Sequence, residues 1–325
     1  MKKIKFILAV AITLGLGVFI TNLVTQKSAP KSLTEAKSNN SQKIVLNALD
    51  KSASGEQVSD VELEGFDESF NVDTKIYKIE NADYSDSDIK KIVKTLDSKI
   101  TEKDVSNEDT TEYELEDGSY LAYYENSGGI IYIGDFNEVD GVDIKKFNVK
   151  KCKKVADAFI KKSDIIDFSD LEYQDASIGE SVETENGTEV LSYVLTYKKN
   201  SPNDSIDFYG VGPGIRIEID SNYEVCGFTA VNKEIVEAAG EFETINKNEL
   251  IDKVCDGKDV QIDGYSDGET LGVSINNMKI CLYSDPLTVE QEYMAPYYVL
   301  EGEDTNNNDI TIVVPAVEDE SIIYK

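Results

Sequence analysis

The chain has 325 residues, with 63 acidic against 32 basic side chains and neither histidine nor tryptophan. The missing histidine removes Ser-His-Asp and Cys-His catalysis, imidazole metal ligation and the ordinary pH switch. Residues 31–325 carry 28 basic and 63 acidic side chains, a formal charge of −35. Such a body repels phosphate backbones and anionic lipid heads, so nucleic acid is excluded as a partner.

The first expected element is a membrane anchor. Phe6 to Val24 is a run of 19 residues without a charge, preceded by Lys2, Lys3 and Lys5. At about 1.5 Å per helical residue it reaches about 28 Å, close to the hydrocarbon thickness of a bilayer. The lysines place the N-terminus in the cytoplasm and the body on the extracytoplasmic side. The run is longer than a signal-peptide h-region, and Thr25 to Pro30 offers no clean cleavage site, so an uncleaved single-pass anchor is expected. The first cysteine is Cys152, which excludes a lipoprotein anchor at the end of this segment. Ala9, Ala11, Gly15 and Gly17 are small residues that allow close helix approach within the membrane.

Residues 25–45 are rich in Ser, Lys, Asn and Gln and read as a linker. Residues 46–70 are acidic and weakly patterned, a partly ordered lead-in. Three α+β modules are expected beyond, at 71–145, 146–240 and 241–325, each an antiparallel sheet with one helix.

In the first, Lys75 to Ile79 alternates as a strand. Ser85 to Asp88 caps a helix whose Ile89, Ile92, Val93 and Leu96 form one apolar stripe. Strands follow at Tyr113–Leu115, Tyr120–Tyr124 and Ile130–Ile133, with turns at Asp117-Gly118 and Gly128-Gly129. In the second, Val149, Cys152, Val155, Ala156, Phe159 and Ile160 mark a helix, followed by strands at 190–197, 215–219 and 224–229. Ile215 to Ile219 alternates apolar with charged residues, which predicts one buried and one wet face. In the third, Asn246 or Asn248 starts a short helix through Leu250, Ile251 and Val254. Strands are expected at 260–262, 271–275, 279–283, 297–300 and 310–314, with a polar hairpin loop from Glu303 to Asp309.

Chemical motifs are weak. Ser87-Asp88-Ile89-Lys90 and Ser28-Ala29-Pro30-Lys31 both fit S-x-x-K, but a helix cap explains Ser87 and the supporting elements are missing. Asp304-x-Asn306-x-Asn308 opens like a calcium loop, then places Asp309 where glycine is needed and Pro315 where a bidentate glutamate belongs. Gly210 to Gly214 precedes a strand and so lacks the helix N–H cradle that binds phosphate. Tyr120, Tyr123, Tyr124, Tyr293, Tyr297 and Tyr298 cluster on strands, either as core or as an aromatic contact surface. No catalytic residue, metal site or cofactor site is expected. Cys152 and Cys255 fall in helices, Cys226 and Cys281 in strands. Disulfides Cys152–Cys226 and Cys255–Cys281 and free buried thiols are both compatible with that placement.

Two passages resemble the PepSY and YycH/YycI-like extracytoplasmic modules of Gram-positive bacteria. One is helix 149–160 with Tyr193 to Tyr197 and Gly212-Pro213-Gly214-Ile215-Arg216-Ile217-Glu218-Ile219-Asp220. The other is Tyr293-x-x-Pro296-Tyr297-Tyr298-Val299-Leu300-Glu301-Gly302, then Ile310 to Val317. The resemblance implies a non-catalytic accessory regulator that contacts the sensor histidine kinase of a cell-wall two-component system, or another extracytoplasmic regulator protein. Its contacts would run through the anchor, seated in the bilayer at residues 6–24, and through the body. PepSY modules also imply an alternative, an anchored inhibitor or chaperone of a secreted peptidase. A carboxylate-based envelope hydrolase is a third reading, with no carboxylate pair singled out among the 63 acids.

Overall fold

The helix expected after Ser85 forms where its cap chemistry puts it. In the computed structural model, which describes residues 43–49, 57–63, 66, 73–107, 109–134, 140–185, 187–202, 206–257, 259–264 and 270–325, helix α1 spans Asp86–Thr95. The Ser85 side chain accepts from the Asp88 N–H, and the Asp88 carboxylate accepts from the Ser85 N–H, a reciprocal capping box. Helix α2 (Val149–Ser163) is capped by Asn148 and ends on Asp164 in the left-handed conformation. Helix α3 (Lys247–Asp256) repeats the capping box with Asn246 and Glu249, and ends on Gly257 at φ 63°. The class is α+β, mostly sheet with three α-helices among the described residues.

The strands are, in chain order, β1 (Ile44–Leu46), β2 (Gln57–Leu63), β3 (Asp73–Asn81), β4 (Ile100–Asn107), β5 (Thr110–Leu115), β6 (Tyr120–Tyr124), β7 (Gly129–Ile133) and β8 (Val142–Asp143). Then come β9 (Leu171–Ile178), β10 (Ser181–Thr184), β11 (Gly187–Val190), β12 (Ser192–Lys199), β13 (Asp207–Gly210), β14 (Gly214–Asp220), β15 (Val225–Val231) and β16 (Lys233–Glu243). The last are β17 (Gln261–Gly264), β18 (Thr270–Ser284), β19 (Tyr293–Met294), β20 (Pro296–Asp304), β21 (Asp309–Pro315) and β22 (Ile322–Tyr324).

The stretches 71–145 and 146–240 share one sheet. Its order is β4-β5-β6-β7-β15-β14-β12-β9, and the seam is β7 against β15, antiparallel from Gly227↔Ile133 to Val231↔Gly129. Pairing these two strands removes two open edges that separate sheets would have exposed. Both α1 and α2 cover one face. Ile89, Ile92, Val93, Cys152, Ala156, Phe159 and Ile160 meet Leu121, Tyr123, Leu195, Ile215, Ile217, Ile219 and Phe228 in one core. That apolar burial, worth about 25 cal/mol per Å², fixes the strand register, because a one-residue slip would turn the set outward.

The second large sheet runs β13-β18-β20-β21-β17, with β2 also parallel to β18. Its two faces separate along each strand. Tyr298, Leu300, Ile312 and Val314 pack towards α3, while Tyr297 and Val313 join Ile44, Leu46, Tyr293 and Ile322 on the other side. A three-stranded sheet, β16-β3-β19, links the halves. The lead-in is tied down as well. β1 pairs with β22 in parallel, Ile44↔Ile322 through Leu46↔Tyr324.

Two local expectations are corrected, and the two cysteine readings are told apart. Residues 271–275 and 279–283 are one strand, β18, running through Asn276 and Asn277 with a register irregularity between Ile275 and Asn277. The wet face of β14 is not wet at Glu218, which is 4% exposed. The disulfides are not formed, since all four cysteines are free thiols. Cys152 lies in the helix-side core, whereas Cys226 faces Glu218 on the other side of the sheet. Cys255 packs on the α3 side, whereas Cys281 stands opposite Tyr297 on the reverse side. A sheet separates the members of each proposed pair, and a disulfide needs Cβ atoms about 4 Å apart.

Candidate functional site

Residues 285–292, between β18 and β19, form a strap bonded to Asn47, β3, the β6–β7 turn and β16. The Ser127 hydroxyl donates to the Leu287 carbonyl. Asn81 Nδ2 donates to the Gln291 carbonyl at 3.1 Å, and the Ile79 N–H to the Glu292 carbonyl at 3.0 Å. Asn47 Nδ2 donates to Asp285 Oδ2 at 2.6 Å and to the Glu290 carbonyl at 2.9 Å. Gly129 lies beneath it, where a Cβ would crowd the end of the Leu287 side chain.

At the centre of the strap sits Lys233, the first residue of β16. Its Nζ donates to Gln291 Oε1 at 2.7 Å and to Ser284 Oγ at 3.1 Å. Gln291 Oε1 also accepts from the Asp285 N–H at 3.1 Å, and its Nε2 donates to the Tyr283 carbonyl at 2.9 Å. Burial pushes the Lys233 ammonium down to about 8, against the opposing pull of the Asp285 carboxylate. A serine hydroxyl beside a lysine of depressed pKa is the arrangement of a serine–lysine nucleophile. Here both residues are 1% exposed, so no substrate reaches the oxygen, and the pair acts as a strut between β16 and β18. Sequence motifs did not reveal it, because the partners are 51 positions apart.

The residue before Lys233 lines a cleft. It is lined by Ala82, Asp83, Tyr84, Ile165 and Asn232, by Asp88, Lys91 and Ile92 of α1, and by Ser163 of α2 with its cap Asp164. Its volume is about 250 Å³. The Ile165 carbonyl accepts from the Tyr84 hydroxyl at 2.6 Å and from Asn232 Nδ2 at 3.1 Å. These bonds orient the Asn232 amide and leave its Oδ1 buried without a hydrogen-bond partner among the described residues. The Tyr84 hydroxyl is pushed up by burial, an effect opposed by Asn232. At the rim Lys91 Nζ meets Asp164 Oδ2 at 2.7 Å, both side chains largely exposed. Asp88 is lowered by the hydrogen bonds of its cap, from the Ser85 side chain first.

The other motifs fall elsewhere. Ser87 shares a 2.7 Å hydrogen bond with Ser85 Oγ in the cap of α1, and Lys90 is exposed. Asp304 Oδ1 accepts from the N–H groups of Asn306 and Asn308 at 2.7 and 2.9 Å, so that carboxylate closes its own hairpin. The Gly210–Gly214 loop lines only a small hollow of about 20 Å³. Tyr123, Tyr293, Tyr297 and Tyr298 are core residues, with Tyr120 and Tyr124 half-buried. Ala9, Ala11, Gly15 and Gly17, with the whole anchor Phe6 to Val24, lie outside the described residues. Among the described residues no helix is long and apolar enough to cross a membrane, and no three Cys, Asp or Glu side chains are grouped to hold a metal ion.

No family profile and no curated protein matches this sequence. A crystal structure of an uncharacterized protein from Eubacterium rectale ATCC 33656 aligns over 81% of this chain and 88% of that chain, with a TM-score of 0.42 and 10% sequence identity.

Proposed function

We propose that this chain is a non-catalytic, membrane-anchored regulator of envelope signalling, acting on a sensor histidine kinase by protein contact. The uncharged run Phe6 to Val24 after three lysines supplies the address, and the passages resembling PepSY and YycH/YycI-like modules supply the class of partner. The observation that carries contact as the mode of action is the pair of open edges of the eight-stranded sheet. β4 and β9 end it, and each presents an aliphatic side chain to solvent, Val105 at 61% and Ile178 at 39%. Val182 on β10 is a further exposed aliphatic side chain, at 42%. Edge strands offer unpaired N–H and C=O groups to an added strand, and aliphatics beside them give that strand something to bury. The enclosure of Ser284 and Lys233 agrees with a role that needs no chemistry.

The test is in-cell cross-linking from positions 105 and 178, followed by deletion of the gene. The reading expects a sensor kinase among the cross-linked products and altered transcription of wall-metabolism genes. A cross-linked secreted peptidase with an unchanged transcriptome would replace it with the inhibitor reading.

A further inference from the structure

We infer that the lysine face of α1 and α2 docks the body on the anionic headgroups of a bilayer. This rests on the anchor proposed for Phe6 to Val24 and adds which side of the body turns to the lipid.

The formal charge of residues 31–325, −35, is unevenly spread. α1 and α2 together hold nine lysines against three aspartates, +6, so the other residues of that stretch carry −41. On α2 the lysines are Lys150, Lys151, Lys153, Lys154, Lys161 and Lys162, and the one acid is Asp157. Cys152, Ala156, Phe159 and Ile160 take the buried side. At 3.6 residues per turn, Lys150, Lys154 and Lys161 fall within about 40° of arc on the outward side and span about 17 Å. All six but Lys153 are exposed. Among the described residues Lys153 alone of the six forms an ion pair, with Asp157 at 2.9 Å. Lys151 Nζ lies 3.6 Å from the Tyr223 ring centroid and Lys161 Nζ 4.2 Å from that of Phe168, which steadies both on the body. On α1, beside α2, Lys90, Lys91 and Lys94 are exposed as well. The acids of this layer are engaged: Asp86 with Lys103 at 2.7 Å, Asp88 in its capping box, and the α2 cap Asp164 with Lys91.

Two observations choose the occupant. Between its lysines the outward side of α2 offers only Ala158. A protein interface centres on aromatic or aliphatic anchors and is depleted of lysine, whereas a headgroup layer attracts lysines by charge alone. The second observation is the length of chain before the body. Eighteen residues, 25–42, separate Val24 from Lys43, and fully extended they reach about 60 Å. A bilayer held within that distance is met at a higher effective concentration than a soluble polyanion. Screening over about 8 Å at physiological salt keeps the remote carboxylates from cancelling the attraction.

The experiment is lysine acetylation footprinting of the full chain in lipid nanodiscs, read by mass spectrometry. One set of discs is phosphatidylcholine alone, and the other contains about one third phosphatidylglycerol. Exposed Lys75 on β3 and Lys279 on β18 are the internal references. In anionic discs Lys150, Lys154 and Lys161 should acetylate about threefold or more slowly relative to the references. That slowing should vanish in neutral discs and at about 1 M salt, where screening acts within about 3 Å. The triple variant Lys150→Glu, Lys154→Glu, Lys161→Glu should lose it at Lys151 and Lys162, while Lys75→Glu with Lys279→Glu should keep it. Equal rates in both discs, slowing that survives high salt, or equal slowing at the references overturns the inference. So does equal slowing by poly-glutamate added to neutral discs, which would assign the face to a soluble polyanion. A chain that elutes apart from neutral discs overturns the anchor and the inference together, whereas unslowed lysines in a chain that stays with anionic discs overturn the inference alone.

Discussion

Lys233 Nζ lies 2.7 Å from Gln291 Oε1, and this contact joins the start of β16 to a strap that begins on β18. A buried ammonium is a costly joint, because its charge gives up water for two neutral oxygens. Its titration makes the joint measurable.

Below pH 8 both folded and unfolded chains carry a protonated Lys233, and the burial cost is constant. Between about 8 and the ordinary 10.5 the unfolded chain holds a proton that the folded chain has released, so stability rises with pH. At about 1.4 kcal/mol per pKa unit the gain is about 3 kcal/mol. Lys233→Met lacks it. Urea unfolding at pH 7.5 and pH 10 should show wild type gaining on Lys233→Met by that order, and a constant difference would refute the burial of the charge.

Glu218 gives the opposite sign. Burial raises its carboxyl, with the Ser192 hydroxyl bond lowering it only in part. Its contribution is complete below the ordinary carboxyl pKa and is lost as pH rises through the raised value. Glu218→Gln keeps an oxygen for Ser192 and carries no charge. The variant should match wild type near pH 4 and exceed it at pH 8 in chemical denaturation.

Gly129→Ala tests the strap. The added methyl would meet the end of the Leu287 side chain, which must turn aside from its resting rotamer at about 1 kcal/mol. Hydrogen exchange should show faster exchange at the Leu287–Glu292 amides, with α3 unaffected. Equal acceleration in α3 would mean global destabilisation instead.

Thiol labelling tests the cysteines. Cys152, Cys226 and Cys281 are buried, and Cys255 is half-buried on α3. Burial raises all four thiols above their ordinary pKa, which slows the folded protein further. Iodoacetamide should modify Cys255 first in the folded state and all four in denaturant without a reductant. Fewer than four in denaturant would indicate a disulfide.

The sequence displays elements whose signal is local. Ser85 and Asn246 announce their helices because a cap acts within four residues, and Ile215, Ile217 and Ile219 announce a buried face because pleating alternates side chains. What stayed hidden depends on partners distant in the chain. Nothing around Ile133 says that β7 continues into β15, and nothing around Glu218 says that its face is covered. β16 was missed because Glu234, Glu237 and Glu241 are exposed on an edge strand whose apolar rhythm is broken by two register irregularities. The cleft was invisible for the same reason. Asn232 and Asp83 are ordinary loop residues until the sheets bring them together.

The parallel pair of β1 and β22 has a mechanical consequence. The Lys325 N–H donates to the Leu46 carbonyl at 2.9 Å, and the Ala48 N–H to the Lys325 carbonyl at 2.6 Å, so the last residue is fastened beside the first described strand. A pull arriving along the chain from before Lys43 meets this three-residue pair before it meets either large sheet. The pair does not stand alone, because Ile44 and Leu46 pack on Tyr297 and Val313 and Asn47 holds the strap at Asp285 and Glu290. Peeling β1 therefore uncovers one face of the second sheet and loosens the strap at the same moment.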